Sequence, residues 1–269
     1  MKAKELLQSY ADGLRNFSEA ELASLSLVGA KLSHVNLESA TLADTNLSKA
    51  DLFNAKLCKV RFARANLSEA DLGEADLREA NLREANLAGA NLTGATLMNA
   101  NLSGSNLSGA CLSGAKLLGA NLTEVNLTDA NLKSASLAKA QLIRTDLTNA
   151  DFTRANFYQA VISLVKLRNT ILHDAVMPNG KYFAHPNLYI LDNINNPSDT
   201  NSVKLNTSEL IQLEAYIQDA VAILYWNIPR NDSTTPEAIK SMIIKQINKY
   251  IRLKVALFSS LEQLPATGE

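Results

Sequence analysis

Every fifth residue from Phe17 to Leu172 is large and apolar, and the series never slips phase. It runs Phe17, Leu22, Leu27, Leu32 and onward, with Phe62, Phe152, Phe157 and Ile162 in place of Leu, for 32 consecutive pentads. Two residues before each sits a small residue, usually Ala, as at Ala30, Ala40, Ala50 and Ala70; Val35, Thr45, Val60, Ser105 and Val125 are variants. The residue just before is usually Asn or Asp, as at Asn66, Asp71, Asp76 and Asn81. This period excludes the ordinary elements. In a helix each step of five turns about 500° and scatters the apolar residues around the whole circumference. In a strand they alternate between faces. A chain that turns a corner every five residues brings them all to one interior. Four corners make a square coil of 20 residues, and stacked coils bury the Leu and Ala columns and leave three positions per pentad in water. One pentad cannot bury its Leu alone, so stability comes from neighbouring coils. Eight coils at about 4.8 Å make a rod of roughly 38 Å.

The pentads resemble the pentapeptide-repeat family, whose unit reads A(D/N)LXX. Ala65-Asn66-Leu67-Ser68-Glu69 and Ala75-Asp76-Leu77-Arg78-Glu79 carry the resemblance. It implies a β fold, a right-handed quadrilateral β-helix. The opening helix followed by Arg15-Asn16-Phe17, and the exit Met177-Pro178-Asn179-Gly180, are similar to cyanobacterial members of the family. Such members lie in the cytoplasm, thylakoid lumen or envelope, and one is a regulator of cell differentiation that acts by protein contact. Other members mimic DNA, with acidic sides that bind type II topoisomerases and confer quinolone tolerance.

An open β-helix exposes backbone at both ends, so terminal caps are expected. Residues 1–14 read as an N-terminal capping helix, amphipathic over 2–12, with Leu6, Leu7 and Tyr10 on one side and Gly13 ending it. The β-helix covers 15–177. Residues 178–206, rich in Asn, Pro and Asp, read as a linker. Residues 207–264 read as an α-helical hairpin. Leu210, Leu213, Ile217, Ala220 and Leu224 stripe its first helix, and Ile239, Ile243, Ile247, Tyr250 and Leu257 its second. The hairpin has apolar surface for the last coil or for a second copy of the chain, giving a homodimer through the C-terminal helices.

No catalytic, cofactor or metal site is expected. His34, His173 and His185 are far apart, and no phosphate loop or nucleophile elbow occurs. Cys58 and Cys111 fall on different sides and stay as free thiols, which suits a reducing cytoplasm. No run of about 18 apolar residues is present, so no membrane insertion is expected. The opening residues carry charges within their apolar stretch and are not a secretory signal.

Between Arg15 and Val176 there are 16 basic and 16 acidic residues. A DNA mimic needs a long negative stripe. Glu69, Glu74, Glu79 and Glu84 fall in one slot of successive pentads and circle a coil instead of lining a side. Nucleic-acid binding is not expected. The reading is a non-catalytic protein–protein interaction scaffold with an unidentified protein partner, and the alternative is a DNA mimic bound to a type II topoisomerase. Residues 20 apart should stack, which places Cys58, Arg78, Met98, Leu118, Ala138 and Tyr158 along one side, with Ile143 on the next. Near the end of the repeat the outward residues Val161, Leu164 and Ile171 are apolar as well. Exposed apolar stripes mark contact sites, and these eight residues from Met98 to Ile171, leaving Cys58 and Arg78 aside, are the candidate partner or docking surface.

Overall fold

The chain divides into two units, Met1–Ser202 and Val203–Glu269. The computed structural model describes residues 1–178 and Gly180. The linker beyond Gly180, the helical hairpin and the homodimer built on it lie outside the described residues.

Parallel bridges join residue i to residue i+20 throughout. On one side the ladder passes from Asn16 through Asn36, Lys56, Asp76, Thr96, Lys116, Ser136 and Asn156 to Val176. Twenty residues therefore make one coil with four sides, a β solenoid. Side one carries the central residues Phe17, Leu37 and onward to Phe157. Side two runs from Leu22, side three from Leu27 and side four from Leu32. On side two the pairing lengthens into two short parallel strands, β1 (Gln141–Ile143) and β2 (Val161–Ser163).

The pentad geometry follows from backbone hydrogen bonding, as the residues around Leu87 show. The Ala85 N–H closes the corner on Leu82 O at 3.0 Å. The Asn86 N–H reaches back one coil to Ala65 O at 2.9 Å, while the Leu87 and Gly89 N–H groups reach forward to Asn106 O and Ser108 O at 2.7 and 2.9 Å. The Ala88 N–H remains, and the Asn86 side-chain oxygen accepts it at 3.2 Å. Asn or Asp before the central residue thus supplies the acceptor that the backbone lacks. The Asn side chains also stack. Asn66, Asn86, Asn106 and Asn126 on side three each donate to the asparagine one coil earlier at 3.2–3.3 Å.

The second residue after the centre turns the corner in the left-handed region, with φ between 52° and 60° at 25 non-glycine residues. Left-handed backbone costs an L-residue about 1–2 kcal/mol, and the glycines at 89, 94, 104, 109, 114 and 119 avoid that cost in the same slot. The expectation of three solvated positions per pentad is corrected here. Only this corner residue is exposed in most pentads; the Asn position and the residue after the centre are mostly half-buried, because neighbouring coils lie against them.

Helix α1 (Ala3–Ala11) precedes the first coil. The Lys2 N–H donates to the Glu5 carboxylate at 2.9 Å, and Gly13 leaves the helix at φ 97°. Leu6 is wholly buried, which stabilises this seat by about 1.5–3 kcal/mol. The Tyr10 hydroxyl donates to Ser33 O at 2.7 Å, and the Arg15 guanidinium lies over the Tyr10 ring, 3.8 Å from its centre. Leu7, expected on the same face, is 37% exposed, because its position turns it away from the Leu6–Tyr10 edge.

The small column accepts a hydroxyl where the hydroxyl finds a carbonyl. Buried Thr45, Thr145 and Thr170 donate to Leu22 O, Leu122 O and Leu147 O, each at 2.8 Å. Buried Ser105 Oγ has no partner among the described residues. An unpaired buried hydroxyl costs about 1–3 kcal/mol. Ser105→Ala therefore raises the urea midpoint, whereas Thr145→Val, which keeps the shape and loses the bond, lowers it by the equivalent of about 1 kcal/mol; equilibrium unfolding of the two variants checks both signs.

Candidate functional site

Inter-coil hydrogen bonds place the candidate residues. Glu79 N–H to Met98 O, Asn99 N–H to Leu118 O, Gly119 N–H to Ala138 O and Lys139 N–H to Tyr158 O stack Met98, Leu118, Ala138 and Tyr158 in consecutive coils of side one at 2.8–2.9 Å. Met98, Leu118 and Ala138 are half-buried, and Tyr158 is 45% exposed. Gly180 lies over the Tyr158 ring: a Cβ added there would stand 3.4 Å from it. The other four candidates do not join this column. Ile143 is on β1 of side two, with Val161 and Leu164 one coil on, and Ile171 pairs with Asp151 on side four. Val161 and Leu164 are 52% and 60% exposed. The structure thus resolves the eight residues into a stripe on side one and scattered apolar residues around the last described coil.

Side one changes character along its length. Its first half carries charges that neutralise one another. Arg78 donates to Asp76 at 2.6 and 2.8 Å, which holds the Asp76 carboxyl below the usual carboxylate range, and Lys59 lies 3.9 Å from Glu79. From Thr96 to Pro178 the outward columns of side one hold no Asp or Glu at all. Their two charges are Lys116 on one edge of the stripe and Lys139 on the other, and among the described residues neither forms an ion pair. On side two Glu124 is held by Arg144 at 2.8 Å, and on side four Asp151 lies 3.2 Å from Lys133.

The residues before the central Leu also differ here. Thr96, Lys116 and Ser136 stand where Asn or Asp would accept the next-but-one amide. Among the described residues no side chain accepts from the N–H groups of Met98, Leu118 and Ala138. Asn156 restores the pattern by accepting from Tyr158 N–H at 2.8 Å. Side two also lacks this acceptor in three successive coils, at Glu21, Thr41 and Arg61, with no acceptor for the Ala23, Ala43 and Ala63 N–H groups among the described residues; side one differs in setting such amides beside an apolar column. The signal lay in the sequence, as the missing Asn or Asp at 96, 116 and 136, and reading only the apolar column passed over it.

The remaining polar residues are accounted for structurally. Glu69, Glu74, Glu79 and Glu84 occupy left-handed corners on four different sides. Lys49, Lys59 and Arg83 neutralise Glu69, Glu79 and Glu84 at 3.6, 3.9 and 2.8 Å. His34 packs edge-on against Phe53 at 6.0 Å, and His173 lies 3.3 Å from Asp174. Cys58 and Cys111 are free thiols. Desolvation, helped by the Asp76 carboxylate, pushes the Cys58 thiol above its ordinary pKa, so it is not an activated nucleophile. Among the described residues no group of three His, Cys, Asp or Glu side chains could hold a metal ion, and no helix is long and apolar enough to cross a membrane.

Comparison with known proteins agrees with this architecture. The family described as pentapeptide repeats matches in overlapping segments, residues 16–52, 45–83, 80–117, 105–139 and 135–174. No curated protein matches. Among solved structures the chain is similar to HetL, a pentapeptide repeat protein involved in heterocyst differentiation regulation from the cyanobacterium Nostoc sp. strain PCC 7120. The two share 29% identity over 68% of this chain and 99% of that one, with a TM-score of 0.36. A thylakoid-lumen pentapeptide repeat protein of Arabidopsis thaliana is 35% identical over 40% of this chain and 72% of its own, with a TM-score of 0.23. Trypsin-treated QnrB1, a plasmid-mediated fluoroquinolone resistance protein, is 18% identical over 58% and 79%, with a TM-score of 0.44. With the repeat matched from residue 16 to residue 174, the chain belongs to the pentapeptide-repeat family.

Proposed function

We propose that this protein is a non-catalytic scaffold that binds another protein through side one of its solenoid. The carrying observation is the apolar stripe Met98–Leu118–Ala138–Tyr158 on a face that loses its ion pairs and its acids from Thr96 onward. A solvated side has no physical need of four stacked apolar residues, and contiguous apolar surface of this kind marks contact sites. The stiffness of the support favours the same reading. Each coil is hydrogen-bonded to both neighbours, so the stripe is presented with little ordering cost on binding. Free Cys58 and Cys111 support residence in a reducing compartment such as the cytoplasm. The DNA-mimic reading has little support. The solenoid has 16 acids against 16 bases between Arg15 and Val176, and its glutamates are spread around the coils and mostly paired.

Affinity capture from the source organism, with wild-type chain and with Leu118→Glu as parallel baits, tests the proposal. The expected result is one or more proteins retained by wild type and depleted at least about tenfold by the variant, the loss that follows when a charge is buried unpaired in an interface. Identical protein sets for the two baits would refute side one as the binding face.

A further inference from the structure

Three features meet on side one between Thr96 and Tyr158. The stripe is apolar, its two edges carry Lys116 and Lys139 without an ion pair among the described residues, and the stacked N–H groups of Met98, Leu118 and Ala138 have no acceptor there. Cations and free donors call for acceptors bearing negative charge. An apolar centre calls for apolar side chains between those acceptors.

From this, and resting on the scaffold reading above, we propose that the partner element is an acidic amphipathic helix lying along the solenoid axis. Its apolar ridge would cover the stripe, and Asp or Glu on its two flanks would meet Lys116, Lys139 and the free amides. Spacing selects a helix. The stacked residues repeat at about 4.8 Å, and Met98 to Tyr158 spans three such steps, roughly 14 Å. A helix repeats its ridge every 5.4 Å, so about three turns stay in step to within about 2 Å. A strand laid along the axis presents like-facing side chains only every ~6.8 Å and drifts out of step at once. Strand addition to the side is also closed, because the inter-coil N–H and C=O groups already bond the neighbouring coils. An anionic membrane surface fits less well. Met98 and Leu118 are half-buried, and two lysines fall short of the clusters of about four to eight that hold a surface on anionic lipid.

The test uses the full chain and a fluorescent synthetic helix of about four turns, with Leu on one ridge and Glu on both flanks, beside the same peptide with Lys replacing Glu. Fluorescence anisotropy at low and at physiological salt is the readout. The acidic peptide is expected to bind at least about tenfold tighter than the basic one, with the gap narrowing as salt rises. Lys116→Glu combined with Lys139→Glu is expected to reverse the preference. Leu118→Glu and, independently, Ala138→Glu are expected to abolish binding of both peptides while circular dichroism stays unchanged. Equal affinity for the two peptides, or acidic-peptide binding that survives both stripe substitutions, overturns the proposal. So does retention of the wild-type chain, but not Leu118→Glu, on phosphatidylserine vesicles without any peptide preference, which would assign the face to lipid. If the peptides show no preference while host capture still loses a protein with Leu118→Glu, the acidic-helix chemistry falls and the scaffold reading stands.

Discussion

The structure depends on one constraint: each corner of a five-residue repeat leaves one backbone amide that no carbonyl can reach. Around Leu87, four of the five N–H groups find a turn carbonyl or a neighbouring coil, and the fifth, on Ala88, is met by the Asn86 side chain. This favours Asn or Asp at that position, less strictly than burial fixes the Leu column, because an amide left without the side-chain acceptor at the surface can turn to water. It also couples the coils twice over, because the same Asn86 accepts from Asn106 and donates to Asn66. Leucine burial supplies the drive to stack; the amide accounting dictates how the coils may stack, with parallel pairing at a register of 20.

Much of this was legible in the sequence because the repeat is strict. The phase-locked apolar column gave the coil, and counting by 20 correctly stacked Met98, Leu118, Ala138 and Tyr158 and sent Ile143 to the next side. What sequence reading missed was the use made of polar atoms. It recorded Asn66 and Asp71 without seeing that each accepts the amide two residues on. It therefore could not notice that Thr96, Lys116 and Ser136 leave amides unaccepted. Leu7 was misplaced for a different reason: a nine-residue helix has too few turns for spacing to separate a buried edge from an exposed one.

The same constraint links fold to function. Where Asn or Asp precedes the centre, its oxygen accepts the amide two residues on, and each departure gives up that bond. Side one combines three successive departures with stacked apolar residues and with two lysines that form no ion pair among the described residues, a combination the departures at Glu21, Thr41 and Arg61 on side two do not share. The repeat supplies the shape, and the proposed recognition face lies where an apolar column replaces the polar outward residues.

Native-state hydrogen exchange on wild type and Asn86→Ala tests the amide accounting most directly. The account predicts that wild-type Ala88 N–H, bonded only to a side chain, is protected nearly as well as Leu87 and Gly89, and that the substitution removes protection at Ala88 while the inter-coil amides of Leu87 and Gly89 keep most of theirs. An Ala88 amide that exchanges freely in wild type, or equally slowly in both proteins, would contradict it.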